Sequence, residues 1–517
     1  MAAESMNRDT KAAWNYHNST KHSWHSVHNS NHYMDWNNQP SPFKIYPELE
    51  GIRLPTDLAS SDVAALTALM AADGQQDSGL DLRALAGLLY YSAGITKRGI
   101  VPGGQIFFRA AACTGALYHI EFYLVCADLE GLEAGVYHFG PHDFSLRQLR
   151  QGDFRQTLAS AAGDEPSVVD APAILVTSSV YWRNSWKYQS RAYRHSYWDS
   201  GTILSNLLAM GRAYQVPLQV VTSFVDDEVN RLLGLDTSRE AALHLVPVGR
   251  GAGFLPDTNS EISALNLEVS PYSAREVEYP QIIEAHQFGS LATREEAASL
   301  CLSPPASVGE NPTGRLVPLK PLAEGEFPDE LIEPVIVRRG SSRRFRRDPI
   351  TFSQLSIILE RGSQDIPADF LGTAGSGLTQ AYVIVNDVDG LQPGTYVYHS
   401  SLKALEQLKE GQFRQEAGYL GLQQELPADA SVCVYFLADL NAILDRYGNR
   451  GYRMVQTEGA IRAGKMYLAA YALRLGASGL TFFDDDVTDF FSPHAAGKSV
   501  MFLIALGRPR PRRRAGN

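Results

Sequence analysis

Tyr188-x-x-Arg191-x-Tyr193-Arg194 returns 259 residues later as Tyr447-x-x-Arg450-x-Tyr452-Arg453. The same offset carries Gly131-Leu132-x-x-Gly135-x-Tyr137 to Gly390-Leu391-x-x-Gly394-x-Tyr396, and Gly152-x-Phe154-Arg155 to Gly411-x-Phe413-Arg414. Phe224-x-Asp226-Asp227 reads again as Phe483-x-Asp485-Asp486, and Val-Gly-Arg250 is answered by Leu-Gly-Arg508. A period this long marks a duplicated domain rather than a solenoid unit. Two copies on one chain can build a two-fold site that other proteins build from two chains.

The 517-residue chain has room for two such copies plus an N-terminal extension and a connector. Its 44% hydrophobic and 20% charged content are those of a soluble globular protein with a sizeable core. The net charge of −11 argues against a general nucleic-acid binder. The exception is the basic tail running from Arg508 through Arg510 and Arg512 to Arg514, which reads as a solvated tail or as a phosphate contact. Cys113, Cys126, Cys301 and Cys433 lie far apart without CxxC spacing, which fits free thiols in a reducing compartment. No apolar run approaches the ~20 residues of a membrane span, and no signal-peptide core opens the chain. A cytoplasmic protein with neither membrane nor nucleic-acid partner is expected.

Residues 1–50 concentrate His17, His22, His25, His28 and His32 among Trp14, Trp24 and Trp36. No carboxylate or cysteine set completes a metal site, so no metal is expected, and the segment reads as an arm laid over the body. A first domain is expected over 51–275, a Pro-rich linker over 276–330 and a second domain over 331–517. In the first, Leu82–Ser92 reads as a helix and Glu121–Ala127, Ala173–Val180 and Ala242–Val248 as strands. Asp199–Tyr214, with little charge, reads as a central helix. The second repeats the order with a helix at Phe352–Glu360, strands at Ala381–Asn386, Ser431–Ala438 and Ser499–Leu506, and a long helix at Glu458–Leu475. The fold class is α+β.

Two stretches carry chemistry. Arg338-Arg339-Gly340-Ser341-Ser342-Arg343-Arg344-Phe345 suits a phosphate, because guanidinium forks pair phosphate oxygens and serine hydroxyls add neutral donors. A basic surface run before a helix is the plainer reading of the same residues. In Arg109–Glu121, small residues and Gly115 precede a strand. Such a loop lets backbone N–H groups approach a flat ligand, although a tight turn explains it equally well. Asp226-Asp227 and Asp484-Asp485-Asp486 read as solvated turns or helix caps.

In these stretches the chain resembles the nitroreductase family. Arg339, Ser341, Arg343 and Phe345 match its flavin-phosphate motif Arg-Arg-Ser-x-Arg-x-Phe, with Gly340 in place of the second arginine. Residues 112–121 are similar to the Pro-Ser-Ala-Gly-x-Leu-Tyr-Pro-x-Glu loop of the SagB/ThcOx branch. Gly115, Leu117, Tyr118 and Glu121 match, while Ala112-Cys113 stand at Pro-Ser and His119 at the second proline. Tyr16-His17-x-x-Thr20-Lys21-His22 and Pro42-Phe43-Lys44-x-Tyr46 also resemble the start of SagB-type chains.

The resemblance implies FMN at a two-fold interface, with the phosphate motif from one side and the small-residue loop from the other. The second copy carries the phosphate motif, whereas Gln75-Gln76-Asp77-Ser78-Gly79 in the first has no arginine. The first copy keeps the loop, whereas Thr373–Gln380 in the second loses its Tyr and Glu. Two tandem nitroreductase-like domains forming an intrachain pseudo-dimer are therefore expected, as a monomer or homodimer, with one flavin site retained. Arg339, Ser341 and Arg343 would hold the phosphate, Cys113, Thr114, Gly115 and Ala116 would line the ring, and Gly340, Gly479 and Arg508 are the further cofactor-binding candidates. In the azoline-oxidising branch a Lys-Tyr pair takes the substrate proton. Lys187-Tyr188 match it, whereas the second copy has Arg446-Tyr447, and arginine is no base near neutrality. The implied activity is that of an FMN-dependent oxidoreductase acting on an azoline-containing peptide. The alternatives are an NAD(P)H-dependent nitro or quinone reductase and a non-catalytic flavin- or peptide-binding member.

Overall fold

The computed structural model describes residues 6–70, 79–101, 104–251, 262–301, 312–371 and 377–510. Gln75–Ser78, Thr373–Ser376 and Arg512–Arg514, all weighed above, lie outside these. The architecture is α+β, as expected. The first copy builds a six-stranded antiparallel sheet in the order Gly51–Arg53, Ser145–Gln151, Gly135–Gly140, Ile120–Cys126, Ala173–Val180, Glu240–Val248. The second builds its sheet in the order Phe345–Arg346, Ser499–Pro509, Val432–Ala438, Gln380–Val385, Gly394–His399, Ala404–Glu410, Arg315–Pro318, with Gly476–Leu480 also on Ser499–Pro509. The inner strands are buried on both faces, so that Glu121, Thr177, Ser178 and Ser179 are buried along with their apolar neighbours. Alternate side chains divide between two cores: Phe122 and Leu124 face one, Tyr123 and Val125 the other.

The segment 276–330 is more than a linker. It contains helices Pro280–Phe288 and Arg294–Cys301, and its strand Arg315–Pro318 closes the second sheet just as Gly51–Arg53 closes the first.

The two central helices pack against each other and are almost wholly buried. They run over Ala192–Ala213 and Arg450–Ala472, starting seven and eight residues before the expected Asp199 and Glu458. The extra turns are rich in Tyr, Arg and Trp. They are helical because the fold buries every side of them, so no amphipathic stripe marks them in the sequence. The helices cross at equivalent positions. A Cβ on Gly201 would lie 2.5 Å from Ala460 Cβ, and one on Gly464 would lie 2.1 Å from Ser205 Oγ, so glycine is required at both.

The helix starts explain the repeat that opens the sequence. Arg450 and Arg453 of the second copy grip Asp226 of the first, each with a 2.7 Å contact. Arg191 and Arg194 of the first copy grip Asp484 of the second at 3.0 and 2.6 Å. Asp226 and Asp484 are therefore not solvated turns but buried ion-pair hubs at the first residues of their helices. The structural partner of Asp226 is Asp484 rather than Asp485, a shift of one residue in the repeat. Burial pushes both carboxyls up, but the paired arginines outweigh it and hold them below the usual carboxylate range.

Main-chain groups complete each hub. Asp484 receives His22 N at 2.8 Å, while His17 O and Thr20 O take its arginines. Asp226 receives Leu291 N at 2.9 Å, while His286 O and Gly289 O take its arginines. The arm is thus ordered and lies over the body. Burial and nearby arginines drive the pKa of His17 down, and that of His22 to about 3.

Candidate functional site

The small-residue loop follows strand Gly104–Arg109 and bends through three left-handed residues: Gly115 (φ 63°), Ala116 (56°) and Tyr118 (49°). Asp199, on the first central helix, anchors it. Thr114 donates its N–H to Oδ1 at 2.9 Å and its hydroxyl at 2.6 Å, and the Cys113 thiol donates to Oδ2 at 3.0 Å. Thr202 Oγ1 donates to Ala112 O at 2.7 Å. Cys113, Thr114 and Ala116 are half-buried and Gly115 is exposed. Behind them Glu121 is buried against Arg183 and His138.

The arginine–serine run of the second copy lies against this loop. Arg339 Nε donates to Ala110 O at 2.8 Å and Nη2 to Arg109 O at 3.2 Å. Two of its five N–H donors thus tie the copies together. Ser341 Oγ is 3.2 Å from Tyr467 Oη, which also receives the Gly479 N–H. Tyr471 Oη donates to Gly340 O at 2.6 Å. Arg343 is exposed, and among the described residues no carboxylate pairs with it or with Arg339. Arg508 does not join the group. It pairs in register with Arg346 and donates to Pro349 O at 2.9 Å.

Lys187 and Tyr188 end helix Tyr181–Tyr188 beside the loop. A Cβ on Gly115 would sit 2.9 Å from Tyr188 Oη, so the phenol lies over the glycine. Burial first, then Arg343 of the other copy, lowers the Lys187 pKa below the usual lysine range. Lys187, Tyr188, Cys113, Gly115, Arg339 and Arg343 thus meet across the two copies. In the second copy Tyr447 is fully buried and donates to Phe370 O.

The donor set fits an FMN phosphate and ring. Cationic and hydroxyl groups without acidic partners lie at one end, with a glycine-bearing loop at the other. Ser342 Oγ, buried beside Ser341, has no protein partner.

Sequence reasoning missed Asp199, Tyr467 and Tyr471. Placing the central helix start at Asp199 made the acid look terminal, whereas it lies seven residues inside. A lone acid in an apolar helix is the signal that would have found it.

An antiparallel sheet with a buried central helix, presented twice and meeting across one cluster of cationic and small residues, is a nitroreductase architecture. The chain belongs to the Nitroreductase family, whose model matches residues 92–250 and again 336–508. A solved structure of a nitroreductase-type protein from Anabaena variabilis is similar over 96% of this chain and 99% of that one, at 25% identity and a TM-score of 0.79. A Methanocaldococcus jannaschii protein named as a nitroreductase is 29% identical over 174 residues, 34% of this chain and 82% of the relative. Trifolitoxin-processing protein TfxB of Rhizobium leguminosarum bv. trifolii is 26% identical over 180 residues, 33% of this chain but only 48% of TfxB. Among the described residues no helix is long and apolar enough to cross a membrane.

Proposed function

We propose that this chain is an FMN-dependent oxidoreductase of SagB type, a single-chain pseudo-dimer with one composite flavin site, acting on an azoline ring in a modified peptide. The observation that carries this reading is the contact of Arg339 with Arg109 O and Ala110 O, which seats the phosphate motif of one copy on the ring loop of the other. Lys187-Tyr188 beside that contact, and the likeness to a relative named for trifolitoxin processing, favour azoline oxidation over nitro reduction.

Bound FMN would supply the hydride acceptor. The chain does the rest. Ser341, Arg343 and the free donors of Arg339 hold the phosphate end, and Cys113–Ala116 press the ring. Oxidising the azoline removes a hydride and a proton. Lys187, its pKa lowered by burial and by Arg343, takes the proton from the substrate carbon as a neutral amine. Tyr188 lies over the loop to orient the ring being oxidised.

Counting flavin in purified, FMN-reconstituted protein tests the reading. One FMN per chain, with oxidation of a synthetic thiazoline peptide, is expected. A protein that cannot take up flavin would defeat it. Two FMN per chain would defeat the single composite site. Nitro-compound reduction driven by NAD(P)H without thiazoline oxidation would move the assignment to the reductase alternative.

A further inference from the structure

We propose that Asp199 is a positioning residue for the bound flavin, fixing the Cys113–His119 loop and placing a buried carboxylate behind it; this rests on the flavin reading above. The carboxylate is 3% exposed and collects donors from one short segment. Thr114 N and Oγ1, Cys113 Sγ and His119 Nε2 all reach it within 3.0 Å. That segment holds three left-handed residues, two of them not glycine, which persist only where surrounding contacts over-determine them.

The far side of His119 is also fixed. Ser196 Oγ donates to Ser179 Oγ at 2.9 Å, and Ser179 Oγ meets His119 Nδ1 at 2.9 Å. We assign Nδ1 as the acceptor from Ser179, which leaves Nε2 to donate to Asp199 at 2.9 Å. Among the described residues no lysine or arginine pairs with Asp199, whose ion-pair contact is His119. Burial first, and Asp199 second, drive the Cys113 pKa well above the usual thiol range. Cys113 is therefore a neutral wall of the site rather than a nucleophile.

The second copy shows that the fold does not require this chain of groups. At the equivalent positions Leu378 replaces His119, Ala438 replaces Ser179 and Val455 replaces Ser196. Glu458 replaces Asp199 and pairs instead with Arg462 at 2.7 Å. Only the copy that presents the loop keeps the anchor. A fixed negative charge behind a flavin disfavours the added charge of reduction, so Asp199 lowers the midpoint potential of the bound cofactor.

The test uses the FMN-loaded protein and the variants Asp199→Asn and Asp199→Glu. Removing charge-assisted bonds from the loop should weaken FMN binding about tenfold or more in Asp199→Asn, read by flavin fluorescence. Its midpoint potential should move positive, and Cys113 should be alkylated by iodoacetamide faster at pH 8, located by mass spectrometry. Asp199→Glu keeps the charge, so it should weaken binding while holding the potential near the wild-type value. Unchanged affinity, potential and Cys113 alkylation in Asp199→Asn overturn the proposal. If the wild-type protein takes up no FMN, the flavin reading fails, and unchanged Cys113 alkylation in Asp199→Asn overturns the anchor separately. Should Asp199→Asn not fold, Thr114→Val removes one donor only. It should weaken FMN binding without moving the potential, and unchanged binding in that variant overturns the proposal.

Discussion

The hub on Asp226 and the hub on Asp484 are near copies, whereas the surfaces presented by the two central helices a turn or two further on differ at almost every polar position. Each hub takes two arginines from the opposite copy, and each is closed by two backbone carbonyls and one backbone N–H from the segment preceding the copy that supplies those arginines. Beyond them, Asn184 of helix Tyr181–Tyr188 and His195 and Asp199 of the central helix correspond to Ile443, Met454 and Glu458 in the second copy. The contrast separates what holds the copies together from what the retained site does. Assembly needs both hubs, so duplication preserves the first; on the proposed single-site reading it is free to release the second.

The largest effect should come from breaking the matched pair. Asp226→Ala and Asp484→Ala each leave two buried guanidiniums without their carboxylate and should each cost about 3–5 kcal/mol, read by denaturant unfolding. Near-equal costs sharpen the comparison. A cost under ~1 kcal/mol for either one would break it.

The next effect belongs to the differing surfaces. Lys187→Ala should spare FMN binding and slow thiazoline oxidation by about 10²-fold or more, as expected for loss of a general base. Arg446→Ala, its counterpart, should leave turnover unchanged. Equal losses from both would place the chemistry outside the retained site.

A smaller effect, of opposite sign, should follow when the first copy is given the second copy's residues. His195 is buried with its Nδ1 on Asn184 Oδ1 at 2.8 Å, while its own Nε2 and the Asn184 Nδ2 have no protein partner. Its ring packs edge-on against Tyr188, with centroids 4.6 Å apart. Replacing the pair as His195→Met with Asn184→Ile removes two orphaned groups and should raise stability by about 1–3 kcal/mol while slowing turnover. A destabilised double variant would mean that the polar pair serves the fold.

The duplication, the α+β class and the paired arginines are legible in the sequence because they repeat or follow local strand and helix patterns. The proposed single composite site is read from complementary decay: arginines kept at 339 and 343, loop kept at 113–116. Asp199 and the hub role of Asp226 and Asp484 are not. Asp226 and Asp484 look like caps until arginines of the opposite copy, hundreds of residues away, close on them, and Asp199 is met by a loop of its own copy that lies 85 residues earlier. Arg508 is the converse case: a basic residue read as a cofactor contact turns its guanidinium to Pro349 O in space.

The smallest effect concerns the position opposite the retained site. Lys465 Nζ donates to Gln364 O at 3.1 Å and Asp365 O at 3.0 Å, where the first copy has the uncharged Asn206. Burial first, then Arg462, pulls its pKa from 10.5 to about 7. The unfolded lysine holds its proton up to its ordinary pKa. Between about pH 7 and 10.5 the unfolded chain therefore binds more protons than the folded one. Stability must rise with pH across that window, at no more than ~1.4 kcal/mol per pH unit from this group, and the full penalty of burying the charge is felt below it. Lys465→Asn, which installs the first copy's residue, should remove that slope. Urea unfolding of both proteins at pH 7, 8 and 9 reads the difference directly. Parallel slopes would show that Lys465 keeps an ordinary pKa, and that the two positions differ in sequence but not in electrostatics.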